Sequence, residues 1–159
     1  MDVLKITPRG YCHGVVEAIR KSRAMKVYIG NLMTQPGETS GFRASHHLEV
    51  LRKHAGGDLF DIILLNRHPV SQRLRVRYAR EGSVPVENDI EAFRSGGPSI
   101  FLGDFLASGR VVRHDPQLLA GGIRDAHARW MAITGRHRRL AARKGVHLEV
   151  KTDKVEAAR

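Results

Sequence analysis

Two short runs that are apolar on both faces, Lys26 to Met33 and Asp61 to Asn66, decide most of what this chain can fold into. A strand buried on both sides needs cover on both sides, and parallel sheets obtain it from crossover helices. Each run is followed by a breaker-rich loop and then a helical stretch. After Met33 comes the polar turn Thr34 to Gly41, then a predicted helix over about Ser45 to His54. Ser45 is its predicted N-cap, Leu48, Leu51 and Ala55 recur at helical spacing, and Gly56-Gly57 stops it. After Asn66 comes a loop through Pro69, then a helix predicted from a Ser71 cap to about Glu81, with Leu74, Tyr78 and Ala79 on one side.

The weaker signals fit the same alternation. Glu17 to Lys26 reads as a helix, and Val3 to Ile6 and Ser99 to Leu102 as short strands. Val84 to Glu87 reads as another strand, which Pro85 restricts to an edge or a strand start. Asp115-Pro116 opens a final helix carrying Leu118, Leu119, Ile123 and Trp130, weakened locally by Gly121-Gly122. Strand and helix in turn predict βαβ units, an α/β fold with a mostly parallel sheet and helices on its faces. Ligands of such sheets bind beyond the carboxyl ends of the strands. The loops Thr34 to Gly41, Asn66 to Pro69 and Asp104 to His114 leave those ends.

Composition narrows the function classes. No segment approaches the roughly 18 uninterrupted apolar residues of a membrane span, and no secretory signal is apparent, so a cytoplasmic home is expected. The single cysteine, Cys12, excludes an internal disulfide and a zinc site built from several thiolates. The net charge of +11 is uneven: Arg124 to Arg159 holds 10 basic and 4 acidic residues, a net of +6. That tail suits either a phosphate-rich partner or a solvated end. Nucleic acid is the weaker expectation, because no aromatic residue is interleaved with Arg136, Arg138, Arg139, Arg143 and Lys144 beyond Trp130. His46 and His47 are adjacent and point about 100° apart on a helix, and His47 and His54 lie two turns apart, too far for one ion, so no metal is expected. His114-Asp115 has no readable triad partner, and no catalytic residue is named.

The loop from Asn31 to Ser45 is the most informative stretch. Its hydroxyls, the Asn31 and Gln35 amides and several glycines precede a helix N-terminus, a combination that reads as a phosphate or sugar cradle or as an ordinary strand-to-helix turn. Lys26 to Gly41, with Ala44-Ser45-His46-His47, resembles the signature of the gluconeogenesis-factor family, a CofD-like group also called YvcK. The likeness continues through Ile62 to Asn66, Arg77-Tyr78-Ala79, Glu81-Gly82, Pro85-Val86 and Val112 to Asp115, about Glu17 to Arg124 in all. It implies a partial Rossmann-like sheet, incomplete relative to the family because no counterpart of the family's N-terminal glycine-rich phosphate loop is present. It also implies a UDP-sugar-binding regulator of cell shape and carbon metabolism, with CofD-like phosphoryl-group transfer as the enzymatic alternative. Carried over by position, Asn31, Thr34, Gln35, Gly37 and Phe42 belong to the ligand-facing loop, and Arg113 suits a diphosphate. Phe42 stands where the family usually has tyrosine, which keeps stacking and loses a hydroxyl.

Residues Val3 to Val16 resemble instead the opening of the LytB family of iron–sulfur reductases, with Cys12 at the first cluster ligand. That cluster needs further cysteines, which this sequence lacks, so no cofactor is expected. The resulting organisation is an appended segment over 1–16, a CofD/YvcK-like α/β domain over 17–125 and a basic helical, partly disordered tail over 126–159. The expected partner is a nucleotide sugar such as UDP-N-acetylglucosamine. A homo-oligomer is a second expectation, since half a sheet exposes an edge strand.

Overall fold

The computed structural model describes residues 13–93 and 97–144. The expectations for Val3 to Ile6 and Cys12 lie outside the described residues. In chain order the elements are α1 (His13–Lys21), β1 (Val27–Ile29), α2 (Ala44–Ala55), β2 (Ile62–Asn66), α3 (Gln72–Ala79), β3 (Ser99–Gly103) and α4 (Pro116–Lys144). The sheet has three strands in the order β1-β2-β3, and both pairings are parallel. Tyr28 pairs with Ile63 and Ile63 with Ile100, so one row of the ladder crosses all three strands.

The central strand is buried on both faces, as its composition requires. Ile63, Leu64 and Leu65 are 0%, 1% and 2% exposed. Alternate side chains leave opposite faces of a strand. Ile62 and Leu64 therefore join Phe105 and Ala126, with Leu119, Ile123 and Trp130 of α4 packed against them. Ile63 and Leu65 join Ala44, with Leu48 of α2, Val86 and Phe93 on that side. Positions 119, 123, 126 and 130 fall on one helical stripe, which is why α4 can cover the sheet.

Four sequence expectations change in detail. The run from Lys26 to Met33 contributes only three residues to the sheet, all half-buried, because β1 has β2 on one side only among the described residues. The ladder continues for one more bond, Gly30 N–H to the Leu64 carbonyl at 2.9 Å. Val84 to Glu87 is not a strand: it meets Met33 through a single antiparallel bridge at Pro85. The two bonds of that bridge come from Thr34 and Val86, so the N–H that proline lacks is not needed there. The first helix lies at His13–Lys21 rather than from Glu17 to Lys26. Ser45 is not the N-cap of α2; Arg43 holds that position, and its backbone N–H donates to His46 Nδ1 at 3.2 Å.

The helix stops follow local rules. Gly56 adopts φ 68° and donates to the Lys53 carbonyl while Gly57 donates to that of Arg52, closing α2 in a left-handed turn. Asp115 caps α4: its Oδ1 accepts from the backbone of Gln117 at 2.9 Å and of Leu118 at 3.0 Å, with Pro116 at the first helical position. Among the described residues no helix is long and apolar enough to cross a membrane.

Candidate functional site at the carboxyl ends of the strands

Asn66, the last residue of β2, ties two of the three loops together. Its Oδ1 accepts from the backbone N–H of Phe105 at 2.9 Å and of His68 at 3.3 Å. Its Nδ2 donates to the His68 carbonyl, and its own carbonyl accepts from Asn88 Nδ2. Just outside, Arg67 and Asp104 face each other as a two-bond pair, with Nε to Oδ1 at 3.2 Å and Nη2 to Oδ2 at 3.3 Å. Both side chains are more than half exposed, so the pair fixes orientation more than it adds stability.

The loop after β1 is docked on the segment after α3. Thr34 donates its N–H to the Val84 carbonyl at 2.8 Å, accepts the Val84 N–H on Oγ1 at 3.0 Å, and accepts the Ser83 hydroxyl on its carbonyl at 2.6 Å. Pro36 lies against Gly82. The loop after β3 is held on the same helix and on the sheet. Tyr78 Oη accepts the Val112 N–H at 3.1 Å, Leu106 bridges His114, and Asp115 donates its N–H to the Phe105 carbonyl. Helix α3 and its exit turn thus carry two of the three loops.

The residues singled out from the sequence occupy distinct surroundings. Thr34 is 3% exposed and bound into the fold by those three bonds. Gln35 presents an exposed side chain while its backbone N–H donates to Thr39 Oγ1 at 2.8 Å. Gly37 has φ 79°, a left-handed conformation that favours glycine, and Asn31 is exposed. Phe42 is half-buried with its ring edge-on to His47 at 5.3 Å and to His46 at 5.9 Å. Arg113 is exposed, and its carbonyl accepts from Ala107.

Sequence reasoning gave Asn66 and Arg67 no individual role, and it weighed His47 for a metal and His114 for a triad without foreseeing that their Nε2 atoms are buried without a hydrogen-bond partner. Burial, and for His47 also the charge of His46, lowers the pKa of each below the ordinary imidazole value; for His114 the hydrogen bond with the Gly30 backbone works the other way. A polar residue ending an apolar strand, as Asn66 does, was the available signal. The burial of the histidines has no local signature.

A parallel sheet covered on both faces by helices, with polar groups gathered beyond the strands' carboxyl ends, defines a Rossmann-like α/β protein. Within that class the chain belongs to the family described as 2-phospho-L-lactate transferase CofD, which it matches over residues 4–106. That match takes in most of the segment that resembles LytB, and no relative supports the LytB resemblance. The gluconeogenesis factor of Halalkalibacterium halodurans is 35% identical over 125 residues, 78% of this chain and 39% of its own. That of Bacillus subtilis is 34% identical over 110 residues, 69% of this chain and 35% of its own. A crystal structure from Bacillus halodurans superposes with a TM-score of 0.66 at 37% identity, covering 70% of this chain and 36% of the other. The chain therefore spans little more than a third of these relatives.

Proposed function

We propose that this chain is a gluconeogenesis-factor-like binding protein that takes a nucleotide sugar, such as UDP-N-acetylglucosamine, at the carboxyl ends of its strands and acts in regulation. The observation that carries the reading is the convergence of the loops after β1 and β3 on α3 and its exit turn, with Gln35, Asn31 and Arg113 exposed around them. Exposed amides suit sugar hydroxyls, and a guanidinium suits a diphosphate. Phe42, at the helix-ward end of the first loop, offers a face for stacking, and Gly37 permits close backbone approach. Calorimetric titration of the purified chain with UDP-N-acetylglucosamine, its oligomeric state checked in the same sample, tests the reading. Saturable heat that is lost in Arg113→Ala is the expected result. A folded chain giving no heat would remove the reading.

The family description favours a second reading, phosphoryl-group transfer of the CofD kind. The group to examine is Asp104, held by Arg67 beyond β3. Release or transfer of a phosphoryl group from a nucleotide donor, abolished in Asp104→Asn, would put this reading first.

A further inference from the structure

Helix α3 has an arginine face of its own. Arg73, Val76, Arg77 and Arg80 fall at spacings of three and four, which place them on one side of the helix. Leu74 and Tyr78 turn toward the body of the protein and are half-buried. Opposite the arginine face lies the loop after β3, brought there by the Val112 to Tyr78 bond. Between them runs a groove of about 650 Å³, lined by Arg73, Leu74, Val76, Arg77 and Arg80 together with Gly109 and Arg110.

Four guanidiniums border this groove and no carboxylate does. Among the described residues none of the four is in an ion pair, and Arg77 instead lies over the Tyr78 ring at 4.9 Å. Like charges held together without a counter-charge raise the local positive potential and attract anions. Guanidinium forks match pairs of phosphate oxygens better than single-point cations do. The arginines run about 10 Å along the helix from Arg73 to Arg80, at roughly 1.5 Å per residue, longer than one phosphate needs. The volume falls in the range of small-molecule sites, and Leu74 and Val76 give part of the wall an apolar character. The far end of α3 leads through Gly82 to Pro36, and so to the loop after β1.

We infer that this groove is a binding site for a diphosphate-class anion, gripped by Arg73, Arg77, Arg80 and Arg110; Arg113, set against the diphosphate in the nucleotide-sugar reading, lies outside its lining. It rests on the nucleotide-sugar reading only for what the diphosphate carries. The Thr34 to Gly41 loop then contacts the remainder of the ligand rather than its phosphates, in keeping with the internal bonding of Thr34.

The test uses the full chain and inorganic pyrophosphate. Wild type is expected to bind it saturably, with an affinity that falls as salt is added. The double variant R73A/R110A is expected to bind about tenfold more weakly or worse, the loss of two charge-assisted contacts. R73K/R110K, which keeps the charges without the forks, is expected to fall between. Arg52→Ala on α2, beside Asp58, serves as a control that leaves binding unchanged. All replaced side chains are exposed, and circular dichroism confirms that each variant is folded. Equal binding by wild type and R73A/R110A, or none by wild type, would overturn the proposal. Arginine-dependent pyrophosphate binding without any response to UDP-N-acetylglucosamine would keep the groove and remove the nucleotide sugar. Binding of the nucleotide sugar that ignores R73A/R110A would do the reverse.

Discussion

The carboxylate of Asp89 holds both hydrogen-bond donors of Ser45: Oδ1 accepts the Ser45 backbone N–H at 3.0 Å, and Oδ2 accepts its hydroxyl. The two residues are 44 positions apart, and Asp89 is only 9% exposed. An acceptor from the segment after α3 thus satisfies the first turn of α2, where an anion is also favoured by the helix dipole.

Asp89 sets the first prediction. Burial pushes its carboxyl up, but the Ser45 bonds, the Asp89 backbone and the neighbouring His46 outweigh that and leave it below the ordinary carboxylate value. A depressed folded pKa stabilises above the unfolded value of about 3.9 and loses that contribution as pH falls through the folded one. Asp89→Asn is expected to lower stability by about 1–3 kcal/mol at pH 7. Urea unfolding at pH 7 and near pH 3 should show the gap to wild type closing on the acid side. A gap that does not depend on pH would contradict the assignment.

His47 and His114 act in a higher window. Their folded pKa values are lowered, so below the ordinary imidazole value of about 6.5 the unfolded chain binds protons that the folded chain resists. Stability should therefore drop from pH 7 toward pH 5 and level off once the folded-state values are passed. His47→Leu also removes a buried Nε2 that has no partner, and is expected to flatten this limb with little loss at pH 7.5. Melting curves across the range read both effects.

Gly121 and Gly122 separate helix propensity from packing. A methyl group on Gly122 would overlap the Phe105 ring, whereas one on Gly121 would meet only the Arg124 guanidinium at 3.9 Å. Gly122→Ala is expected to destabilise by about 1–3 kcal/mol through overpacking. Gly121→Ala, adjacent in sequence, should be neutral or stabilise by up to about 1 kcal/mol, the usual gain in a helix interior. Equal effects in denaturant unfolding would mean that Phe105 does not rest on the helix at Gly122.

These pairs show what was legible in the sequence. The burial of β2 could be read from four consecutive apolar residues, and the stop of α2 from Gly56-Gly57, because both obey local rules. Gly121-Gly122 looked like a weakness in α4 because the ring that needs the space is Phe105, on a different element. Ser45 looked like an N-cap because capping rules search nearby positions, while its partner Asp89 is remote. At the site, the loops were legible as strand exits. The arginines of α3 could be counted, but Arg110 joins them from a remote loop, which the Val112 to Tyr78 bond ties to the helix.

Thr34 and Gln35, neighbours in the first loop, should part company when replaced. Thr34→Val removes the acceptor of the partly buried Val84 N–H, so a loss of about 1–3 kcal/mol is expected. Its other two bonds use backbone atoms that valine retains, which limits the damage to that one group and to local loosening of the loop. Gln35 contributes to the fold through its backbone: its carbonyl accepts from Glu38 and Thr39 and its N–H donates to Thr39, while the side chain is exposed. Gln35→Ala should therefore leave unfolding within about 0.5 kcal/mol of wild type. If the loop faces the nucleotide sugar as proposed, the same change should weaken UDP-N-acetylglucosamine binding by roughly five- to tenfold, the worth of about one hydrogen bond. Measured side by side, stability lost in Thr34→Val and affinity lost in Gln35→Ala would divide the loop into a docked residue and a ligand-facing one. Unchanged affinity in Gln35→Ala, in a chain that does bind the nucleotide sugar, would move the contact away from this loop and toward α3.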